Sequence, residues 1–159
     1  MFPVIMLIVT ALIILLHCAL TKSKRTAKNI IEIILLDYFI IAVGLGHVIA
    51  GLEHIFNGPE IARGIGWAPG SPFQYEVGVA DMAFGLICVL CVLFRGSFWL
   101  AAIIANSFFL FGCMIGHIRS LAESGNLAAY NIGPNIIIAD MILPLLLIGL
   151  YIVYQKLRN

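Results

Sequence analysis

The sequence predicts an all-α integral membrane protein, a bundle of about five transmembrane helices, and its composition and hydropathy pattern lead to that fold class. Of the 159 residues, 62% are hydrophobic and only 11% are charged, and the mean hydropathy is +1.09. Such a chain lacks the polar surface that a domain needs in water. Its apolar residues also fall into five stretches, each close to the roughly 20 residues that cross a bilayer core. We expect one multi-pass membrane domain over residues 1–159, in the lipid of the plasma membrane.

Local sequence signals place the ends of the five predicted spans. Ser71, Pro72 and Gln74 match a capping box with proline in the first turn, which opens the third span. Pro134 opens the fifth span, and the Gly- and Pro-rich segment 57–72 is predicted to be a loop that lies on the outer membrane interface. The predicted spans cover residues 3–20, 30–56, 73–94, 98–119 and 135–155.

Basic residues predict the orientation of the bundle. Lys and Arg concentrate on the cytoplasmic side of membrane proteins. Seven of the nine basic residues follow the first, third and fifth spans, and only Arg63 and Arg119 lie at the other end. The sequence therefore predicts an N-terminus outside and a C-terminus inside. The net charge of +1, without a basic stripe, gives no indication of nucleic-acid binding.

Acidic and histidine residues fall toward the outer end of several spans. At about 1.5 Å per residue, His47 lies about 13 Å, Asp81 about 12 Å and Asp140 about 7 Å below the outer surface. A shallower layer contains Glu53, His54, Glu76 and His117. Charged groups inside a membrane are costly and usually functional. These two layers are therefore the predicted site.

Several of these polar residues share helix faces with glycines. Positions three, seven and ten residues apart lie on one side of a helix, and glycine there lets a neighbouring helix approach closely. Two such faces consist of Gly44, His47, Gly51 and His54 in the second span, and of Gly78, Asp81, Gly85 and Cys88 in the third. We expect both to be packing faces. Glu53, next to His54, must point elsewhere.

Imidazole and carboxylate groups in one layer favour a metal-binding or redox membrane protein as the first specific hypothesis. Its ligands would be His47, His117 and Asp140, with Glu76 or Asp81 as a further ligand or a catalytic base. This mixture of nitrogen and oxygen ligands suits a divalent transition metal such as iron, manganese or zinc.

His54 is a further candidate ligand, and it also belongs to a haem alternative. A haem could lie between His47 or His54 and His117, with Arg63 and Arg119 close to its propionates. Because carboxylates rarely line haem pockets, haem ranks below the carboxylate-ligated metal.

Two functions of other classes remain open, and both use the same residues differently. In an accessory subunit of a homo- or hetero-oligomer, the polar groups would only hold helices in register. In a proton-coupled carrier, Asp140 would be essential, and Asp37, which is deep and has no obvious partner, could be a lower step of the path. Cys88 and Cys91 match C-x-x-C, but at mid-helix they are expected to be apolar packing residues.

Five motifs lie between about Gly46 and Pro144: Gly46-His47, Ile65-Gly-Trp-Ala-Pro-Gly-Ser-Pro-Phe-Gln-Tyr-Glu-Val-Gly78, Gly116-His117-Ile118-Arg119, Asn131-x-Gly133-Pro134 and Asp140-x-x-x-Pro144. By these motifs the chain resembles an uncharacterised family of small multi-pass bacterial and archaeal membrane proteins. The resemblance implies no reaction, substrate or catalytic residue. In that family Asn often replaces Asp81, which implies that acidity there is not obligatory. More loosely, the third and fourth spans are similar to small four-helix membrane proteins of thiol and quinone redox systems.

Overall fold

Six helices make up the protein in a computed structural model, which describes residues 2–21 and 26–158, and no strand occurs in those ranges. Five of the helices are long and apolar enough to cross a membrane, which confirms the five stretches predicted from hydropathy. The helices are α1 (Phe2–Leu20), α2 (Ala27–Phe56), α3 (Gly58–Ile65), α4 (Phe73–Leu90), α5 (Ser97–Ser124) and α6 (Ala129–Arg158).

The bundle has two ends, which we call upper and lower. The upper end carries α3 and the connection from α5 to α6, and the lower end carries the connections after α1 and α4. Lys22, Lys24 and Arg25, which contributed to the predicted orientation, lie outside the described residues.

Helix α3 corrects the prediction that residues 57–72 form a loop. Pro59 stands in its first turn, and Gly66 ends it in the left-handed conformation at φ 84°. These are ordinary start and stop signals of a helix. Glu60 and Arg63 are exposed while Ala62 and Ile65 are buried, so α3 is a short amphipathic helix that lies across the upper end.

The most extensive helix contact joins α2 and α4 through the two predicted glycine faces. A Cβ atom added to Gly51 would lie 2.7 Å from the carbonyl oxygen of Gly78, and one added to Gly85 would lie 2.8 Å from that of Gly44. Only glycine permits so close an approach of two backbones. Gly44 therefore lies level with Gly85, and Gly51 with Gly78.

The apolar core fills the lower half of the bundle. Trp99 is fully buried, donates its indole N–H to the Cys91 carbonyl at 2.8 Å, and packs against Phe39 and Tyr154. Arg95 closes this end, because its guanidinium lies 5.0 Å above the Trp99 ring and donates to Glu32 at 2.8 Å. This ion pair joins the turn after α4 to the start of α2.

Helices α2 and α6 each contain a π-helical segment, Tyr38–Leu45 in α2 and Ile138–Ile142 in α6. A π turn is rare and often marks a functional site. The Tyr38 hydroxyl donates to the Leu143 carbonyl at 3.1 Å and thereby joins the two segments. Pro144, which has no N–H to offer, follows directly. The two irregular parts of the bundle are thus in contact.

Candidate functional site

Each of the four histidines pairs with a side chain of another helix through its Nδ1 atom. The partner atoms are all oxygens, at 2.7 to 3.0 Å. The pairs are His17 with Asp37, His47 with Asp81, His54 with Gln74, and His117 with Asn131. Three predicted site histidines are therefore engaged in helix-to-helix contacts, and the same holds for His17, which was not predicted.

The His47–Asp81 pair lies between α2 and α4, at the level between the two close glycine contacts. His47 Nδ1 donates to Asp81 Oδ1 at 2.7 Å, and both side chains are buried. Phe84 and Phe109, stacked on each other at 4.6 Å, lie about 6 Å from the imidazole. A charge-assisted hydrogen bond is strong in such apolar surroundings. The predicted deep layer thus contains a buried imidazole–carboxylate hydrogen bond.

His117 is held in one tautomer by Asn131. The Asn131 amide nitrogen donates to the carbonyls of His117 and Asn126, at 3.2 and 2.8 Å, so its oxygen faces His117 Nδ1 at 2.9 Å. An amide oxygen only accepts, and Nδ1 must therefore carry a proton. The remaining nitrogen, Nε2, is the atom at which His117 gains or loses one.

Asp140 lies opposite that nitrogen, in the π segment of α6. Its Oδ2 is 3.7 Å from His117 Nε2, which is an ion-pair distance but too long for a hydrogen bond. Both side chains are buried, and the Trp67 ring stacks on the imidazole at 6.0 Å from above. The Cys113 thiol lies close enough to both Asp140 and Asp81 for electrostatic interaction. Cys113 is therefore near both acidic groups.

A third imidazole–carboxylate pair lies lower in the bundle and contains Asp37, for which no partner was predicted. His17 Nδ1 is 3.0 Å from each Asp37 oxygen; the Asp37 side chain is only 7% exposed, that of His17 41%. Asp37 directly precedes the π segment of α2, and His47 is the second residue after its end. Ten residues separate them, or about 15 Å along the helix.

The remaining predicted residues lie outside these three pairs. Glu53 is exposed and accepts from Asn57 at 2.8 Å, as its position next to His54 requires. Glu76 is also exposed and does not join the buried pairs among the described residues. The capping-box prediction is wrong, because Pro72 is the N-cap residue of α4 and Gln74 is buried and bonds His54 at 2.7 Å. The Ser71 hydroxyl, one residue before the N-cap, accepts from the Phe73 N–H.

The predicted metal site finds no support in the described parts of the chain, where no group of three His, Cys, Asp or Glu side chains could hold an ion. The cause is that His47 faces Asp81 while His117 faces Asn131 and Asp140, on different helix pairs. The arginines of the haem alternative are engaged as well, Arg63 with Glu60 at 3.0 Å and Arg119 with Glu123 at 2.6 Å. The bond from Arg63 holds the pKa of Glu60 below its ordinary value.

All four cysteines are free in the described structure. Cys88 and Cys91 are fully buried, as expected for apolar packing residues, and Cys91 bonds the Ile87 carbonyl within its own helix. Two residues that the sequence did not identify as site residues are Asn131, whose contact with His117 depends on the chain path after α5, and Trp67, which follows α3 and stacks on His117.

Comparisons with known proteins identify the family of this chain. Searches of curated proteins and of solved structures found no match. A family model, however, matches residues 1–159, the whole of the given sequence. The match agrees with the resemblance noted from the motifs. The chain belongs to DUF6790, a family of unknown function.

Proposed function

We propose that this chain is a five-span membrane protein, with its N-terminus outside and its C-terminus inside, that moves protons through its bundle, alone or coupled to a solute. One observation carries the proposal: three imidazole–carboxylate pairs, each with a buried carboxylate, occur at successive levels between the lower and the upper end. Ionisable groups are costly inside a membrane and commonly mark a path for protons or ions.

Membrane insertion is supported by the outer surface of the bundle. Large apolar side chains such as Phe108, which is 83% exposed, and Leu15, which is 67% exposed, point away from the core. Lipid covers such surfaces without cost, whereas water does not. The orientation is supported by the described basic residues Lys28, Arg95, Lys156 and Arg158, which lie toward the lower end and agree with the positive-inside rule.

The chemistry of the pairs suits proton transfer. Histidine is the side chain whose ordinary pKa allows it to gain and lose a proton near neutral pH. When Nδ1–H is bound to a carboxylate, a proton taken up at Nε2 creates an imidazolium that the carboxylate stabilises. His47 with Asp81 and His17 with Asp37 both have this arrangement. Each pair can therefore hold a proton and release it again.

Asp140 and His117 form the upper step. In the neutral state of His117, a protonated Asp140 can give its proton to Nε2, which leaves a carboxylate next to an imidazolium. The reverse transfer restores both groups. The 3.7 Å separation must shorten by about 1 Å, or one water must intervene, before the proton moves. The irregular backbone of the Ile138–Ile142 segment gives Asp140 room for that movement.

Proton flux into proteoliposomes tests the proposal. Purified protein is reconstituted with a pH-sensitive dye inside the vesicles, and a potassium gradient with valinomycin supplies the driving potential. Wild-type protein should acidify the lumen, and Asp140→Asn should reduce the flux to that of empty vesicles. Glu53→Gln is the matched control, because it removes an exposed acid at the same end of the bundle.

Two results would contradict the proposal. One is a wild-type protein, folded and correctly inserted, that conducts no more than empty vesicles under any solute gradient supplied. The other is an Asp140→Asn variant whose flux equals that of the wild type. If Glu53→Gln lost flux as completely as Asp140→Asn, the buried pairs would not be the path.

A second candidate function, an accessory subunit of a membrane complex, is favoured by one face of α5. Gly112 and Gly116 are exposed, and a Cβ atom added to either meets no atom within 4 Å in the described structure. This Gly-x-x-x-Gly spacing permits close contact with another membrane helix. The test is the mass of the protein in mild detergent: a monomer without partners, unchanged in Gly112→Leu, would refute this candidate.

A further inference from the structure

Two polar side chains in the middle of the bundle have no partner for their oxygens. Asn106 is 1% exposed and Ser107 is 6% exposed, and the Asn106 Oδ1 and Ser107 Oγ atoms accept or donate no hydrogen bond among the described residues. The Asn106 amide nitrogen has only a weak contact of 3.6 Å with the Cys88 sulfur. Both residues lie on the buried face of α5, between Ile103 and Leu110.

Their level in the bundle follows from the glycine contacts. Gly85 lies level with Gly44, so Cys88, three residues further along α4, lies level with residue 41 of α2. Asp37 is then about 6 Å below Asn106, and His47 is about 9 Å above it. The two unpartnered oxygens therefore stand between the lower and the middle imidazole–carboxylate pairs, in the interval that these pairs leave open.

We propose that Asn106 and Ser107 form a binding site for ordered water, and that this water relays protons between the lower and the middle pair. Buried polar groups in native proteins are nearly always paired, and those without a protein partner are commonly bound to internal water. The amide oxygen accepts one bond from water, and the serine hydroxyl both donates and accepts. Neutral oxygens next to thiols and aliphatic groups suit water and do not suit a metal cation.

The relay leaves the water unchanged. A water oxygen takes up a proton that arrives from one pair and releases a different proton toward the other, so one O–H bond forms for each that breaks. The relay role rests on the proposed function, since it has meaning only if protons cross the bundle. The binding site for water does not depend on the proposed function, and it can be tested by itself.

X-ray radiolytic footprinting tests the water site on the intact protein. Synchrotron pulses convert bound water to hydroxyl radicals, which oxidise the nearest reactive side chains even when bulk solvent cannot reach them. Cys88 is next to Asn106, and sulfur reacts readily. Cys91, equally buried one turn below and bonded within its own helix, is the matched control. We expect Cys88 to be oxidised several-fold faster than Cys91, and the two rates to become equal in the variant Asn106→Leu with Ser107→Ala.

The outcomes separate the water site from the relay. Equal rates at Cys88 and Cys91 in the wild type would overturn the water site, and an unchanged excess at Cys88 in the double variant would overturn its assignment to these residues. Ser107→Ala alone, which should halve the excess or remove it, replaces the double variant if that one fails to fold. A double variant that loses the excess but conducts protons like the wild type would overturn the relay. Loss of flux in Asp140→Asn concerns only the proposed function.

Discussion

Replacing Gly51 by alanine should weaken the bundle at the His47–Asp81 pair. The added Cβ would lie 2.7 Å from the Gly78 carbonyl oxygen, where ordinary contacts begin at 3.4 Å, so α2 and α4 must separate by about 0.7 Å. The same movement would lengthen the 2.7 Å bond between His47 and Asp81 to about 3.4 Å and so weaken it. Overpacking of this kind costs about 1–3 kcal/mol, which lowers Tm by about 2–12 °C for a chain of this size.

Thermal unfolding in detergent, followed by tryptophan fluorescence, measures the effect. Gly149→Ala is the control, because its Cβ meets only open space in the described structure. Alanine is the better helix former, so this control should match the wild type or exceed it slightly. Gly51→Ala with the stability of the wild type would refute the close packing of α2 on α4. Equal losses of stability in both variants would show that the effect does not come from the contact between α2 and α4.

Three further predictions concern single contacts. His17→Ala leaves buried Asp37 without its partner and should lower the free energy of unfolding by about 1–3 kcal/mol. Glu32→Gln, at a partly exposed ion pair, should lower it by less than about 1 kcal/mol. Equal losses in the two variants would contradict the burial of Asp37. Asn131→Leu removes the acceptor of His117 Nδ1, and ¹⁵N NMR should then show a shift of the tautomer balance that Asn131→Asp does not; identical spectra would contradict the tautomer assignment. Elemental analysis of purified protein should find iron, manganese and zinc well below one equivalent, and one equivalent that is lost in His47→Ala would restore the metal hypothesis.

The sequence was sufficient for the five long helices and for the faces by which α2 and α4 pack, but not for the short helix α3. Apolar stretches defined the five long helices, and the spacing of Gly44, His47 and Gly51 identified a face that does contact α4. Helical periodicity determines which side of a helix a residue occupies, and it applies whatever the neighbour is. It could therefore place His47 and Asp81 on packing faces without showing that they meet.

The partners themselves depend on how far neighbouring helices are shifted along one another. His17 stands near the end of α1, whereas Asp37 is ten residues into α2, and only the shift of α1 brings them together. Asn131 reaches His117 because the chain turns back after Ser124. Neither the shift of α1 nor the turn of the chain after Ser124 can be predicted from the amino-acid composition. The metal hypothesis failed to gain support for the same reason, since a shared depth does not make side chains converge.

The π-helical segment Tyr38–Leu45 sets the rotational phase of α2. A π turn contains one residue more than an α turn, so the residues that follow it are rotated by about 100° around the helix axis. Asp37 stands before this segment and faces α1, while His47 stands after it and faces α4. In an uninterrupted α-helix of the same sequence, only one of the two could meet its present partner. The eight-residue segment Tyr38–Leu45 contains neither Asp37 nor His47, yet its geometry allows both of them to meet their partners at once.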